Sequence, residues 1–268
     1  MTKQYNGLDL LKFVMAFFVI MIHVKPNQHS ELMSNIFNPL MSIAVPVFFV
    51  VSSFLIFNKL DDKGGYAVLA HYVKRICILY LCWLVLDGWY VVMRMPYFHE
   101  GLFFGALHFI KDMVFATTFP GSWYLSASVV GVILVYSISR YTHPFFTFLL
   151  SFAIAYYISH YSIFPESIQC PYYWYASHFR KEVSLSFPGS MVWISIGQLL
   201  SSAKNWIELN KKWLMPLCLG IFIITYATSI VLIPLYIEPY LMVVSLFVVS
   251  FLIELPDNPL YKRIRNYH

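Results

Sequence analysis

Three ionisable residues stand inside one apolar run near the start of the chain: Asp9, Lys12 and His23. Charged or titratable groups in such a run are costly, so each is a candidate for function. In a helix each residue turns by about 100°, so the step from Lys12 to His23 returns to within about 20° of the same face. Asp9 falls about 40° to the other side of His23, and the small Ala16 and Val19 continue the stripe. A cation therefore stands about 16 Å below an imidazole on one narrow polar line. Imidazole is suited to taking a proton near neutral pH, and a cation to holding an anionic substrate group. The plainer alternative is a snorkelling Asp9–Lys12 pair at one interface and a capping histidine at the other.

Two further groups could add to this chemistry. Lys74 and Arg75 precede a later apolar run and could grip phosphates or simply anchor it. Asp87 lies about 18 Å along that run from Arg75, a height similar to that of His23 above Lys12. It could orient the imidazole and stabilise its protonated form; the rival is a polar residue tied to Tyr90, a Trp or the backbone. Trp123 and Tyr124 open another run and could shape an acceptor site or belong to an aromatic belt. The segment Gln169–Glu182, with Tyr172, Tyr173, Trp174, Tyr175, His178 and Arg180, could stack on a sugar ring or form an interfacial girdle. Ser52 and Ser53 read as close-packing residues rather than nucleophiles. The remaining histidines lack metal-ligand spacing, so no metal or bound cofactor is expected. There is no Gly-rich phosphate loop and no Gly-x-Ser-x-Gly elbow.

The elements that must position these residues follow from composition. The 268 residues are 59% hydrophobic, 19% aromatic and only 12% charged, with mean hydropathy +0.66. Soluble domains carry about 25% charged residues, so a soluble or disordered chain is excluded. Four scattered cysteines exclude a disulfide scaffold. The fold class is all-α, a polytopic transmembrane helix bundle. Eight spans are predicted: Leu8–Val24, Pro39–Phe57, Ile76–Met93, Trp123–Ser139, Pro144–Phe164, Phe187–Ser201, Trp213–Pro234 and Pro239–Leu255. A ninth stretch, Gly101–Thr118, reads as an interfacial or re-entrant helix. Asp9 and Lys12, and the lack of a small-x-small site after Val24, make the first run a retained span rather than a signal peptide.

With the N-terminus inside, twelve basic residues fall on the cytoplasmic side and five on the other, so both termini are expected in the cytoplasm. That bias accounts for the net charge of +5 without nucleic acid. No internal repeat of the kind found in transporters is visible.

The segment Asn6-Gly7-Leu8-Asp9-Leu10-Leu11-Lys12-Phe13, followed by His23, resembles the opening of the membrane-bound acyltransferase family 3, whose hallmark is a basic residue, ten residues, then histidine. The run from Ala44 through Pro46, Phe48, Phe49, Ser52 and Ser53 to Leu55 resembles the family's Pro-x-Phe-Phe…Ser-Gly-Phe stretch. His71-Tyr72-Val73-Lys74-Arg75-Ile76 is similar to its basic approach to the third span, and Trp123-Tyr124-Leu125 to its Trp-Tyr-Leu opening of a later one. These motifs stand in the family's order over roughly residues 6–130; the match from Phe187 to Gly197 is loose.

The resemblance implies a single membrane domain over residues 1–268 that moves an acyl group, expected to be acetyl, from cytoplasmic acyl-CoA to a hydroxyl of a surface glycan or lipid. His23 would be the general base, with Asp87 beside it. Lys12, Lys74 and Arg75 would hold the CoA end, and Trp123, Tyr124 and Arg180 the acceptor. Membrane lipids are its surroundings, a bacterial plasma membrane its expected place, and a homo-oligomer is compatible with it. Lys12 stands where the family favours arginine, Ser53 where it favours glycine, and Ile78 where it carries a second arginine. Members usually continue through about ten spans with a late Tyr-x-x-His-like one, so this chain reads as C-terminally short. The competing readings are a transporter or channel for a small polar solute, and an inactive remnant.

Overall fold

The computed structural model describes residues 5–24, 30–63, 65–94, 101–179, 182–231 and 236–255. Helices and short turns make up these residues, and no strand occurs among them. In chain order the helices are α1 (Asn6–Val24), α2 (Glu31–Lys63), α3 (Gly65–Leu86), α4 (Gly88–Arg94), α5 (Leu102–Phe115) and α6 (Ser122–Ser139). There follow α7 (Pro144–Ser159), α8 (Glu166–His178), α9 (Phe187–Ser202), α10 (Lys204–Leu209), α11 (Lys211–Val231) and α12 (Glu238–Leu252). Among the described residues five helices are long and apolar enough to cross a membrane: α1, α2 over Met33–Leu60, α3, α6 and α11. Shorter apolar helices are α7 and α12. Helix is the outcome physics requires, because an apolar segment in lipid must satisfy its backbone hydrogen bonds internally. The protein is an integral membrane protein of the all-α class.

Several predicted boundaries shift. The third span begins at Gly65 rather than Ile76 and ends at Leu86 rather than Met93. Hydropathy places a span by its apolar run, yet Lys74 and Arg75 are good helix formers and α3 passes through them. Asp87 and Gly88 are poor helix formers and the chain turns there before α4. The fifth predicted span, Pro144–Phe164, is helical only to Ser159 and passes through a 3₁₀ turn at Tyr161–Ile163. Most of the segment Gln169–Glu182 is helix α8 rather than loop. The stretch Gly101–Thr118 forms the 14-residue α5, and Gly121, at φ 84°, makes the left-handed turn that starts α6.

The chain forms two compact units, Met1–Ser52 with Leu200–His268, and Ser53–Leu199. In the first, the start of α1 packs against the end of α12. The Asn6 amide donates to the Leu255 carbonyl at 3.1 Å, and the Tyr5 ring stacks on Phe251. Gly7 lies directly against the Ser250 carbonyl, where a Cβ has no room. The Tyr226 hydroxyl, on α11, donates to the Ile36 carbonyl of α2 at 3.0 Å.

In the second unit α3 and α6 are antiparallel neighbours. At one end Gly65 touches the Tyr136 ring and the Arg140 guanidinium lies 5.0 Å over Tyr66. At the other, Tyr80 packs edge-on against Phe119. Its hydroxyl pairs with Thr118 at 2.6 Å. The Thr118 and Phe119 amides both donate to Ser122 Oγ, closing the turn before α6.

Candidate active site

In the first unit the candidate residues lie on α1. Leu8, Asp9, Leu11, Lys12 and Met15 are buried, whereas Phe13, Phe17, Ile20 and Val24 are exposed. The exposed residues lie about 80–140° round the helix from Lys12. The face that carries Lys12, Met15, Ala16 and Val19 is thus turned away from the exposed side, with Ala16 and Val19 half-buried. His23, one turn beyond Val19 on the same line, is exposed at the end of the helix. Lys12 Nζ meets Asp9 Oδ1 at 3.0 Å. The cation at the foot of the stripe is therefore held by a carboxylate one turn before it, a geometry that satisfies two charges in apolar surroundings. A cleft of about 440 Å³ opens at this end of the unit, lined by Tyr5, Asn6, Glu208, Lys211 and the segment 251–255. Lys211 pairs there with Glu254 at 2.6 Å.

In the second unit Lys74 and Arg75 are exposed on α3, while Trp123 and Tyr124 are half-buried in the first turn of α6. Arg75, Tyr124 and Ser128 all lie within electrostatic reach of Tyr72. The fold thus gathers Arg75 and Tyr124 around a tyrosine that sequence reasoning passed over. Asp87 is half-buried at the turn between α3 and α4, and its carbonyl receives the Tyr90 and Val91 amides. It begins α4, twelve residues beyond Arg75. Arg180 lies outside the described residues.

On α8, Tyr172 stacks flat on Tyr161 with ring centroids 3.6 Å apart, and Trp174 stacks on His178. Partial burial, with Tyr161 beside it, holds the Tyr172 phenol above its ordinary pKa. Tyr173 and Trp174 leave more than half of their surface open. Ser53 is fully enclosed in α2, in keeping with a packing role.

A second buried carboxylate escaped the sequence reading. Glu238, in the first turn of α12, is 5% exposed and lies 3.0 Å from Ser229 Oγ, whose single proton it shares with the Thr225 carbonyl at 2.8 Å. It stands at the opposite end of α12 from the segment that meets Asn6 and Gly7. Its only trace in the sequence is an acidic residue directly before the proline taken to open the last span.

Residues 5–265 match the family model described as an acyltransferase domain, acyltransferase family 3. The chain belongs to acyltransferase family 3. Two curated proteins from Enterococcus faecalis, each named an amino-acid racemase, are also similar to it. One is 28% identical over 183 residues, covering 63% of this chain and 24% of that protein. The other is 27% identical over 140 residues, covering 50% of this chain and 20% of that protein. The chain therefore matches about a quarter or less of these relatives' length. No solved structure matches significantly.

Proposed function

We propose that this family 3 acyltransferase moves an acyl group from acyl-CoA to a hydroxyl of a cell-surface glycan or lipid, with His23 as general base. The imidazole takes the acceptor's proton as its oxygen attacks the thioester carbonyl. The carbon–sulfur bond breaks, and the CoA thiolate leaves and is protonated. Lys74 and Arg75 bind the CoA phosphates, and Lys12 steadies the donor from the foot of the stripe while paired with Asp9. Trp123 and Tyr124, with Arg180, shape the acceptor side, and the exposed Trp174 adds a stacking surface. The protein works in a bacterial plasma membrane with both termini in the cytoplasm, where acyl-CoA is found.

The observation that carries this reading is the line Lys12–Ala16–Val19 on the sheltered face of α1, ending at the exposed His23, in a family 3 chain. Purified protein in detergent should consume acyl-CoA in the presence of a glycan acceptor. His23→Ala should lower that rate by about 10²–10⁴-fold with the fold intact, since His23 is exposed. Wild-type transfer by His23→Ala would remove the mechanism. Solute flux in proteoliposomes without acyl-CoA would replace it with transport.

A further inference from the structure

We propose that the outward face of α3 around His71, Lys74 and Arg75 lines a water-filled recess in the membrane, and that the recess admits a diphosphate to mid-depth. The diphosphate rests on the reading above, in which Lys74 and Arg75 bind phosphate; the recess does not. Tyr72, Ile76 and Tyr80 follow one another at four-residue steps and face α6 and the turn before it. His71, Lys74, Arg75, Ile78 and Cys82 are all exposed and lie within about 80° of the opposite direction. α3 is the least buried of the five spans.

The depth of the two cations follows from the helix. α3 has 22 residues and is thus about 33 Å long, enough to cross a hydrocarbon core of about 30 Å. Exposed Tyr66, under the Arg140 guanidinium, stands near one end, and exposed Trp83 near the other. Such aromatic residues collect at the two membrane interfaces. Lys74 lies about 12 Å from Tyr66, and Arg75 about 12 Å from Trp83, so both cations stand midway. Neither belongs to an ion pair among the described residues. Snorkelling relieves a long side chain near a helix end, whereas a cation at mid-span faces a bundle interior or water.

A second copy of the chain offers no anion to match them. Among the described residues Asp9 is the one carboxylate within the five spans, and Lys12 holds it in the first turn of α1. Two α3 faces brought together would set like charges opposite each other. Water and a mobile anion remain. Helical side chains lean toward the N-terminus of their helix, so Lys74 and Arg75 reach toward Tyr66, where Arg140 adds a further charge. In the other direction the face passes to Ile78, Cys82 and Val85, which carry none. The recess therefore opens at the Tyr66 end, and its adjacent cations match the adjacent anionic groups of a diphosphate.

Thiol labelling tests both parts. In the full chain carrying Cys77→Ala, Cys82→Ala and Cys170→Ala, one thiol is placed by Ile78→Cys on α3 or by Ile223→Cys on α11. These isoleucines are 52% and 56% exposed, so their surroundings make the difference; buried Cys218 gives the background. In phosphatidylcholine nanodiscs both membrane faces are open to a sulfonate-bearing thiosulfonate reagent. Ile78→Cys should react about a hundredfold faster than Ile223→Cys, because a thiol in apolar surroundings resists ionisation. Free CoA and polyprenyl diphosphate are then added separately. At ten times its Kd, the diphosphate that binds should slow the reaction about tenfold, and Lys74→Met/Arg75→Met should cancel the protection. Protection by CoA would place the source of the diphosphate in solution, and protection by the polyprenyl compound would place it on a lipid carrier. Ile78→Cys as slow as Ile223→Cys would overturn the recess and leave both cations snorkelling. A disulfide formed between two copies of Ile78→Cys on oxidation would overturn it in favour of a subunit contact. Fast labelling that neither compound slows would overturn the ligand. Protection by CoA with no acyl-CoA consumed would leave the proposal standing and remove the transfer reading alone.

Discussion

Asp9 Oδ1 and Lys12 Nζ lie 3.0 Å apart on α1, and each side chain is only 11% exposed. Taking one partner from a buried ion pair weakens the compensation of the other charge, at a cost of up to about 3–5 kcal/mol. Lys12→Met should therefore destabilise the protein by that order in a denaturant titration in detergent micelles. The Asp9→Asn/Lys12→Met double variant should lose clearly less than the sum of the two single losses. Strict additivity would show that the pair does not act as a unit.

Gly7 and Gly220 should respond oppositely to the same change. At Gly7 a Cβ would fall on the Ser250 carbonyl at the α1–α12 crossing, whereas at Gly220, within α11, nothing lies in its way. Gly7→Ala should cost about 1–3 kcal/mol through overpacking. Gly220→Ala should stabilise by about 0.5–1 kcal/mol, because alanine loses less backbone freedom in a helix. Thermal midpoints of the two purified variants, moving to opposite sides of the parent, are the expected result.

These positions also show what could be read in advance. Helices were legible because lipid leaves an apolar run little alternative, and the α1 stripe because Lys12 and His23 obey one helical period. The Asp9–Lys12 pair is local, three residues apart, and was foreseen as one of two roles for the lysine. The ends of α3 and α7 were not legible, since hydropathy changes slowly across the residues where the backbone turns. Tyr72–Ser128 and Tyr80–Thr118 were invisible for a different reason. Each joins side chains that only the antiparallel packing of α3 and α6 brings together. Glu238 was missed because its partner Ser229 lies on the neighbouring helix, beyond any helical period.

Asp87 can be tested without disturbing the turn it occupies. Aspartate and asparagine serve almost equally at a helix start, whereas alanine there costs about 0.5–2 kcal/mol. Asp87→Asn should thus unfold with the parent, and Asp87→Ala earlier. If the carboxylate supports the His23 imidazole, Asp87→Asn should slow acyl transfer while KM for acyl-CoA stays close to that of the parent. Combined with His23→Ala, it should cause little further loss. Parent-like turnover by Asp87→Asn would confine Asp87 to the α3–α4 turn.

Glu238 and Ser229 should show the asymmetry expected of a buried polar pair. The carboxylate is nearly closed off from solvent and shares the Ser229 Oγ proton with the Thr225 carbonyl, while its place in the first turn of α12 adds favourable helix-dipole attraction. Ser229→Ala removes a donor and leaves the buried acceptor in place, which should cost about 1–3 kcal/mol. Replacing both groups by apolar ones, as in Ser229→Ala/Glu238→Leu, removes the desolvation penalty along with the bond and should recover most of that loss. The residual deficit should be about 0.3–1 kcal/mol, the contribution of a charge at a helix N-terminus. Unfolding of the single and double variants in one detergent would decide it. A double variant less stable than Ser229→Ala would mean that the carboxylate holds further partners that leucine cannot replace.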